Sequence, residues 1–247
     1  MASLSGTSTL TINDLYTSDS TIPGPLQLGQ IAPGPHNKWF RYALAGASDL
    51  VAGNLLQEKA EDTQFEAMAV TASAIAGAGS VQTVNVTNGT TTVAAHDFDG
   101  GSISVNTTPD LGREYTILGH TTGASGAALV VTLDRPLGTA WSTSTKINMK
   151  PNLGSKVIQF PTSQTGVPVG VALFVLPTAT YGWIQIAGTA SALSDASSYA
   201  VGSGLSPSLS VAGCVSVNVA GTTHCNVGYA RQAASSTHNI AVVLQIP

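Results

Sequence analysis

Charged side chains are scarce in this chain. Asp, Glu, Lys and Arg make up 9% of its 247 residues, against roughly 25% in an ordinary globular domain. Hydrophobic residues make up 43%, so Ser, Thr, Asn and the 26 glycines supply most of the polarity. Because charged side chains normally keep a surface soluble and unassociated, this scarcity favours a protein that buries much of its surface in a permanent assembly.

Basic residues and long apolar runs are scarcer still. Nine Lys and Arg stand against 13 Asp and Glu, for a formal net charge of −4. Nucleic-acid binding needs a basic face, so we expect no nucleic-acid partner. No run approaches the roughly 18 apolar residues of a membrane span, so we expect no membrane partner. Residues 1–7 lack the basic and apolar regions of a signal peptide, and we expect the protein to stay in a cytoplasm until it assembles.

Only two cysteines are present, Cys214 and Cys225. They lie on runs that can pair as a hairpin around residues 220–222, which allows a disulfide, whereas a reducing compartment favours two free thiols. Together with the adjacent His224 they supply too few ligands for a metal site. We therefore expect neither a metal nor another cofactor.

The catalytic motifs that we tested are absent from the sequence. The glycine–serine runs at residues 123–126 and 202–204 miss the spacing of a hydrolase nucleophile elbow. No Walker-type loop, zinc-protease helix or dinucleotide-binding glycine set is present. Residues 96–100 (HDFDG) lack the further carboxylates that a calcium loop needs. We therefore expect no catalytic, metal-binding or cofactor-binding residue, and no enzyme.

Short alternating runs of β-branched residues dominate the chain, separated by Gly, Pro, Ser and Asn. This pattern predicts an all-β fold of small barrel-like or sandwich-like modules. Asn88 and Gly89 predict a two-residue hairpin. Residues 58–72 have the composition of a short helix, although residues 65–71 fit a strand equally well. The remaining predicted strands cover residues 39–45, 50–57, 81–86, 90–94, 102–105, 115–118, 129–133, 157–160 and 214–219.

The last third of the chain contains an internal repeat. Its first copy reads VGVA at residues 169–172 and YGWIQI at 181–186. Its second copy reads VGYA at residues 227–230 and NIAVVLQI at 239–246. Each copy predicts a glycine-containing strand, a polar loop and a longer apolar strand, which is typical of a packing and assembly module.

Composition divides the chain into four segments. We predict an extended, Pro-rich N-terminal arm over residues 1–37, because proline removes backbone donors and favours extended backbone. A β-rich segment over 38–80 is expected to pack with a C-terminal β-module over 153–247. A small inserted β-domain is expected over 81–152.

The predicted arm carries more apolar residues than a disordered tail normally does. We therefore predict that it reaches along a neighbouring subunit or the particle that the protein binds. The expected interface side chains, which include the tryptophan just after the arm, are Leu10, Ile12, Leu15, Ile22, Leu26, Leu28, Ile31 and Trp39.

Several runs resemble tailed-bacteriophage capsid decoration proteins, also called cement or head-stabilising proteins. They are WFRYA at residues 39–43, DLVAGNLLQ at 49–57, GREYTI at 112–117, GWIQ at 182–185 and VGYA at 227–230. The resemblance covers residues 38–247. It implies a viral protein of the virion that binds the major capsid protein on the outer surface of the head, associates with itself as a homotrimer, and stabilises the capsid without catalysis.

Two other functions remain as alternatives. One is a tail or fibre component with receptor or glycan binding, which predicts few copies per virion. The other is a secreted or virion-bound hydrolase, which needs an acid and a base held together. No motif in the sequence predicts that two carboxylates meet as a catalytic pair, so we expect a structural protein.

Overall fold

The computed structural model describes residues 9–71, 82–195, 197–218 and 225–247. Strands make up 41% of the structure and helices 5%, which confirms the predicted all-β class. The chain forms two compact units. Unit 1 comprises Met1–Ala60 and Leu153–Pro247, and unit 2 comprises Glu61–Asn152.

Sixteen strands lie in the described residues. They are β1 Ile31–Gly34, β2 Lys38–Leu44, β3 Leu55–Gln57, β4 Met68–Ala69, β5 Thr83–Thr87, β6 Ser102–Val105, β7 Glu114–His120, β8 Ala128–Leu133, β9 Lys146–Lys150, β10 Ile158–Gln159, β11 Pro168–Ala172, β12 Tyr181–Leu193, β13 Gly204–Pro207, β14 Val215–Val217, β15 Gly228–Ala230 and β16 Asn239–Gln245. Most predicted strands are present with shifted ends. The start of the run at residue 81 and the turn at 220–222 lie outside the described residues.

Helix is confined to short turns. The α-helix α1, Ile12–Leu15, begins with a capping box between Thr11 and Asp14. Single 3-10 turns occupy Pro35–Asn37 and Thr63–Phe65. The helix considered over residues 58–72 is otherwise absent in the described part, because Ala67 adopts a φ of +50° and the chain then enters β4.

Unit 1 is a ten-stranded sheet curved into a half-barrel. Its strand order is β10-β3-β11-β12-β16-β15-β13-β14, with β2 paired to both β1 and β12. The long strand β12 organises the sheet, because residues 181–187 pair with β2 and residues 187–193 pair with β16. Gly188, at a φ of +86°, lies where the pairing changes from one neighbour to the other.

The internal repeat corresponds to two antiparallel strand pairs of this sheet. In the first copy β11 pairs with β12, and in the second β15 pairs with β16. The glycine of each VGxA run lies very close to the backbone of the neighbouring strand. A Cβ on Gly170 would lie 3.0 Å from the Gln185 oxygen, and one on Gly228 would lie 2.0 Å from the Val243 oxygen.

Unit 2 is a nearly closed six-stranded barrel. Its strand order is β4-β9-β6-β7-β8-β5, and an isolated bridge between Val70 and Val86 joins the two ends of the sheet. Residues alternate between core and solvent along β5, β6 and β8, as strands with one buried face require. The core surrounds the fully buried Trp141, Tyr115 and Phe98.

Two expectations about local structure differ from the fold. Asn88 and Gly89 do not join a hairpin, because β5 pairs with β8 instead. The Asn88 amide is buried and donates to the carbonyls of Thr91 and Ala124, at 2.7 and 3.0 Å. Unit 2 begins at Glu61, whereas the expected inserted domain begins at residue 81; both end at residue 152.

Candidate interaction surface

The structure does not confirm an extended N-terminal arm over residues 1–37. Residues 9–30 instead pack along one face of β2 and β12 within the same unit. Leu10, Leu15 and Leu26 are 2%, 6% and 5% exposed, in a cluster with Phe40, Tyr42 and Trp183. Burial against this chain's own aromatic face removes these three leucine side chains from the surface.

The N-terminal segment is also bonded to the sheet through its backbone. Asp19 and Tyr181 exchange hydrogen bonds of 2.9 and 2.8 Å, and the Tyr42 hydroxyl donates to the Asp19 carboxylate at 3.2 Å. Tyr42 stacks on Tyr181 with ring centroids 6.1 Å apart and contacts Trp183 at 5.1 Å. Residues that the sequence assigned to an extended arm therefore complete the hydrophobic core of unit 1.

The remaining residues of the predicted interface reach the surface to different extents. Leu28 is half-buried, whereas Ile12, Ile22, Ile31 and Trp39 are exposed to 61%, 39%, 47% and 46%. These four stay candidates for contact with another molecule.

Ile31 and Trp39 form a patch on one face of the β1–β2 pair. Trp39 lies opposite Pro33, and Ile31 lies opposite Arg41, two residues along β2. Opposite residues of antiparallel strands point to the same face. The Tyr42 N–H donates to the Gln30 oxygen, so the next residue, Ile31, directs its backbone groups away from β2. β1 pairs with β2 alone, and on its other side the Pro33 oxygen accepts the Leu10 N–H at 2.9 Å. The patch therefore lies at a sheet edge that residues 9–10 partly cover.

Arg41, which lies opposite Ile31 on β2, has a structural role. Its guanidinium is buried and donates to the backbone oxygens of Val169 and Pro247 at 3.2 and 2.5 Å. Burial lowers the pKa of this side chain. Through Arg41, these two hydrogen bonds connect β2 to β11 and to Pro247, which follows β16.

Two buried carboxylates also have structural partners. In unit 2, Tyr115 and Trp141 each donate to Asp110 at 3.0 Å, and Arg113 lies 3.4 Å away. Burial raises the pKa of Asp110, but these partners outweigh burial and the net pKa is lowered. In unit 1, Ser208 donates to Asp195 at 2.7 Å. Burial raises the pKa of Asp195, but hydrogen bonds from neighbouring serines, Ser208 first among them, outweigh burial and the net pKa is lowered.

No group of three or more His, Cys, Asp or Glu side chains in the described residues could hold a metal ion. Cys214 is buried and Cys225 half-buried, and both thiols are free. Burial raises the pKa of Cys214 to about 11. His224 lies outside the described residues, and no helix among those described is long and apolar enough to span a membrane.

Charge is divided unevenly between the two units. Unit 2 contains eight acidic and four basic residues, which account for the whole net charge of −4. Unit 1, although much longer, contains five of each sign. They are Asp14, Asp19, Asp49, Glu58 and Asp195, with Lys38, Arg41, Lys59, Lys156 and Arg231.

Exposed apolar side chains follow the opposite distribution. Unit 2 exposes only Leu111, Leu118 and Val130 among the large hydrophobic residues described. In unit 1 they are Ile12, Tyr16, Ile22, Ile31, Trp39, Val51, Leu153, Val167, Val175, Val201, Leu209, Val211 and Tyr229. Sequence composition revealed the low charge of the chain as a whole, but this division required the fold.

Comparisons with known proteins found no match for this chain. The chain matches no protein-family model, no curated protein and no solved structure.

Proposed function

We propose that this chain is a structural protein of a tailed-phage virion that binds the outer surface of the head. The observation that carries the proposal is the surface of unit 1, which combines zero net charge with many exposed apolar side chains. Large exposed apolar areas mark surfaces that contact other molecules. The resemblance of residues 38–247 to capsid decoration proteins supplies the identity of the partner, the major capsid protein.

The proposed mechanism is mechanical. Each copy bridges neighbouring capsid subunits and associates with further copies as a trimer, so that many weak contacts add up through multivalency. Apolar interface cores are normally depleted of charged residues, which agrees with the composition of unit 1. β1 pairs with β2 alone, so its outer edge at Ile31, beyond the point where Leu10 bonds to Pro33, supports strand addition as one mode of contact.

The copy number of this polypeptide in purified particles, relative to the major shell protein, tests the proposal. We expect a ratio near one, as a decoration role requires. A handful of copies would favour the tail or fibre component instead. Absence from the particle would contradict both structural roles and reopen the hydrolase alternative.

A further inference from the structure

An exposed apolar strip crosses three segments of unit 1. We call the side chains of Ile12, Tyr16, Val51, Phe174 and Val175 the Tyr16 strip. Four of them are 61%, 57%, 48% and 52% exposed, in the order Ile12, Tyr16, Val51 and Val175. Phe174 is half-buried and packs on the core beneath. Of the five, only Ile12 was expected at an interface from the sequence.

One ring contact and one backbone bridge link the segments of the strip. The rings of Tyr16 and Phe174 lie 6.1 Å apart between centroids. Ile12 is the first residue of α1 and Tyr16 is its C-cap residue. Leu50 and Leu176 exchange two backbone hydrogen bonds of 2.9 Å.

The Leu50–Leu176 pair also fixes the far end of the strip. Both leucines are buried, and the bridge between them is isolated, because a turn begins at Val51, whose oxygen accepts the Asn54 N–H. Val51 follows Leu50, Val175 precedes Leu176, and both valines are exposed. The bridge therefore holds the two exposed valines on neighbouring segments.

Gly182 of β12 lies close to two of the segments that form the strip. A Cβ on Gly182 would lie 2.7 Å from Leu176 and 3.3 Å from the Thr17 oxygen. The turn after α1 and the segment that contains Phe174 and Val175 thus both contact the same position of β12. Ring and backbone contacts thus connect the segments that carry the strip.

The segments that form the strip carry charge of one sign only. Asp14, Asp19 and Asp49 lie on residues 9–30 and 46–57, and neither range contains Lys, Arg or His; residues 173–182 contain no charged residue. Hydrogen bonds from the N–H and hydroxyl of Thr178 lower the pKa of Asp49, so this carboxylate is ionised at neutral pH. A basic residue of an adjoining segment is Lys156, whose backbone oxygen lies close to Gly46.

We infer that the Tyr16 strip docks on a protein surface that combines an apolar contact area with Lys or Arg side chains around it. The inference rests on the proposed function and assigns this surface to the shell protein. Apolar contact supplies affinity at the centre of an interface. Complementary charge at its rim steers association and rejects other partners.

A second copy of this chain fits the strip less well. Two strips that face each other would bring six like charges together, which disfavours association. The proposed trimer has no two-fold axis that would place two strips face to face, so we assign the proposed self-association to another surface.

Binding of the full-length protein to heads of the parent phage, assembled without this polypeptide, tests the inference. In one variant, Tyr16→Ser and Val175→Ser remove apolar contact from exposed positions. We expect its affinity to fall by at least about tenfold. In a second variant, Asp14→Asn and Asp49→Asn keep an oxygen acceptor for the local hydrogen bonds. We expect slower association that depends less on salt.

Val201→Ser is the matched control, because Val201 is 65% exposed in unit 1 and outside the strip. All variants should keep the wild-type thermal midpoint. Heads that fail to bind the wild type would contradict the proposed function and this inference together. Heads that bind the wild type and the strip variants equally would overturn only the inference. Loss of self-association in the strip variants would identify a second copy as the occupant.

Discussion

Asp110 shows how a single residue keeps a negative charge inside unit 2. Its side chain is 2% exposed, and burial alone would favour the neutral acid. Donors from Tyr115, Trp141 and Arg113 surround it and stabilise the carboxylate. Its lowered pKa therefore makes the ionised form a contributor to folding stability at neutral pH.

Asp110→Asn should destabilise unit 2 at pH 7 by about 1–3 kcal/mol, because it removes the charge that these donors stabilise. The wild-type contribution is complete well above the unfolded pKa of about 3.9 and is lost as pH falls through the folded value. Chemical unfolding at pH 7, 5 and 3 should show a smaller pH dependence for the variant. Glu114→Gln, at an exposed position of β7, is the control. Equal pH profiles for wild type and Asp110→Asn would contradict this account.

Gly228 is required for the close approach of β15 to β16. It adopts a φ of +150°, and an added Cβ would lie 2.0 Å from the Val243 oxygen. The Val243 oxygen belongs to the backbone of β16, so it cannot move aside without breaking the pairing of β15 with β16.

Gly228→Ala should therefore lower the free energy of unfolding by at least about 2 kcal/mol, measured by denaturant titration. Gly202→Ala is the matched control, since Gly202 also has a positive φ of +87° but nothing within 4 Å of its added Cβ. We expect a cost of only about 1 kcal/mol there. Equal costs at both sites would show that the clash with Val243 is relieved at no expense.

Among the elements, the N-terminal segment differs most from its prediction, because the sequence indicated an extended arm and the structure packs residues 9–30 on unit 1. Its leucines fit an aromatic face made by β2 and β12, and a fully buried leucine contributes about 1.5–3 kcal/mol. The segment is therefore part of the folded unit, and its removal affects stability before it affects any contact with a partner.

Deletion of residues 1–30 should expose Phe40, Tyr42 and Trp183 and lower the stability of unit 1 by about 5 kcal/mol or more. Calorimetry should show a lower thermal midpoint for this unit, and the variant should bind a hydrophobic dye. Ile12→Ser, which changes an exposed residue of the same segment, should leave both readouts unchanged. A truncated chain with the wild-type midpoint would restore the independent arm that we expected from the sequence.

At the scale of the whole molecule, the chain is one unit inserted into another. β3, before the insertion, pairs with β10, after it, so that Gln57 lies opposite Ile158. Unit 1 thus holds the two ends of the insertion together through its own strands, and unit 2 closes around a core of its own.

The isolated fragment 61–152 should therefore fold alone. We expect a cooperative thermal transition and the β-type circular dichroism of a closed sheet, because its core residues come entirely from within the fragment. Trp141→Ala, which empties the centre of that core, should abolish the transition or lower the stability by about 3–5 kcal/mol. A fragment that lacks a cooperative transition would show that unit 2 depends on the rest of the chain.

The sequence predicted local structure well wherever alternation was regular. The run at residues 83–87 has the burial pattern that its alternating residues require, and the VGxA repeat marks two real strand pairs. Asn88 misled the hairpin prediction, because its amide bonds to distant loop carbonyls that no local pattern contains. The candidate surface was predicted only in part, since residues of the Tyr16 strip are remote from one another in the chain.

The sequence by itself determined that this is a low-charge, all-β protein, because period-two alternation and composition act locally and along the whole chain. It also determined that Leu10, Leu15 and Leu26 must be covered by something. Only the tertiary structure decided what covers them, because the hydrophobic effect is non-directional and an apolar side chain does not specify its partner. The same fold decided that Ile12 and Tyr16 stay exposed beside Phe174 and Val175.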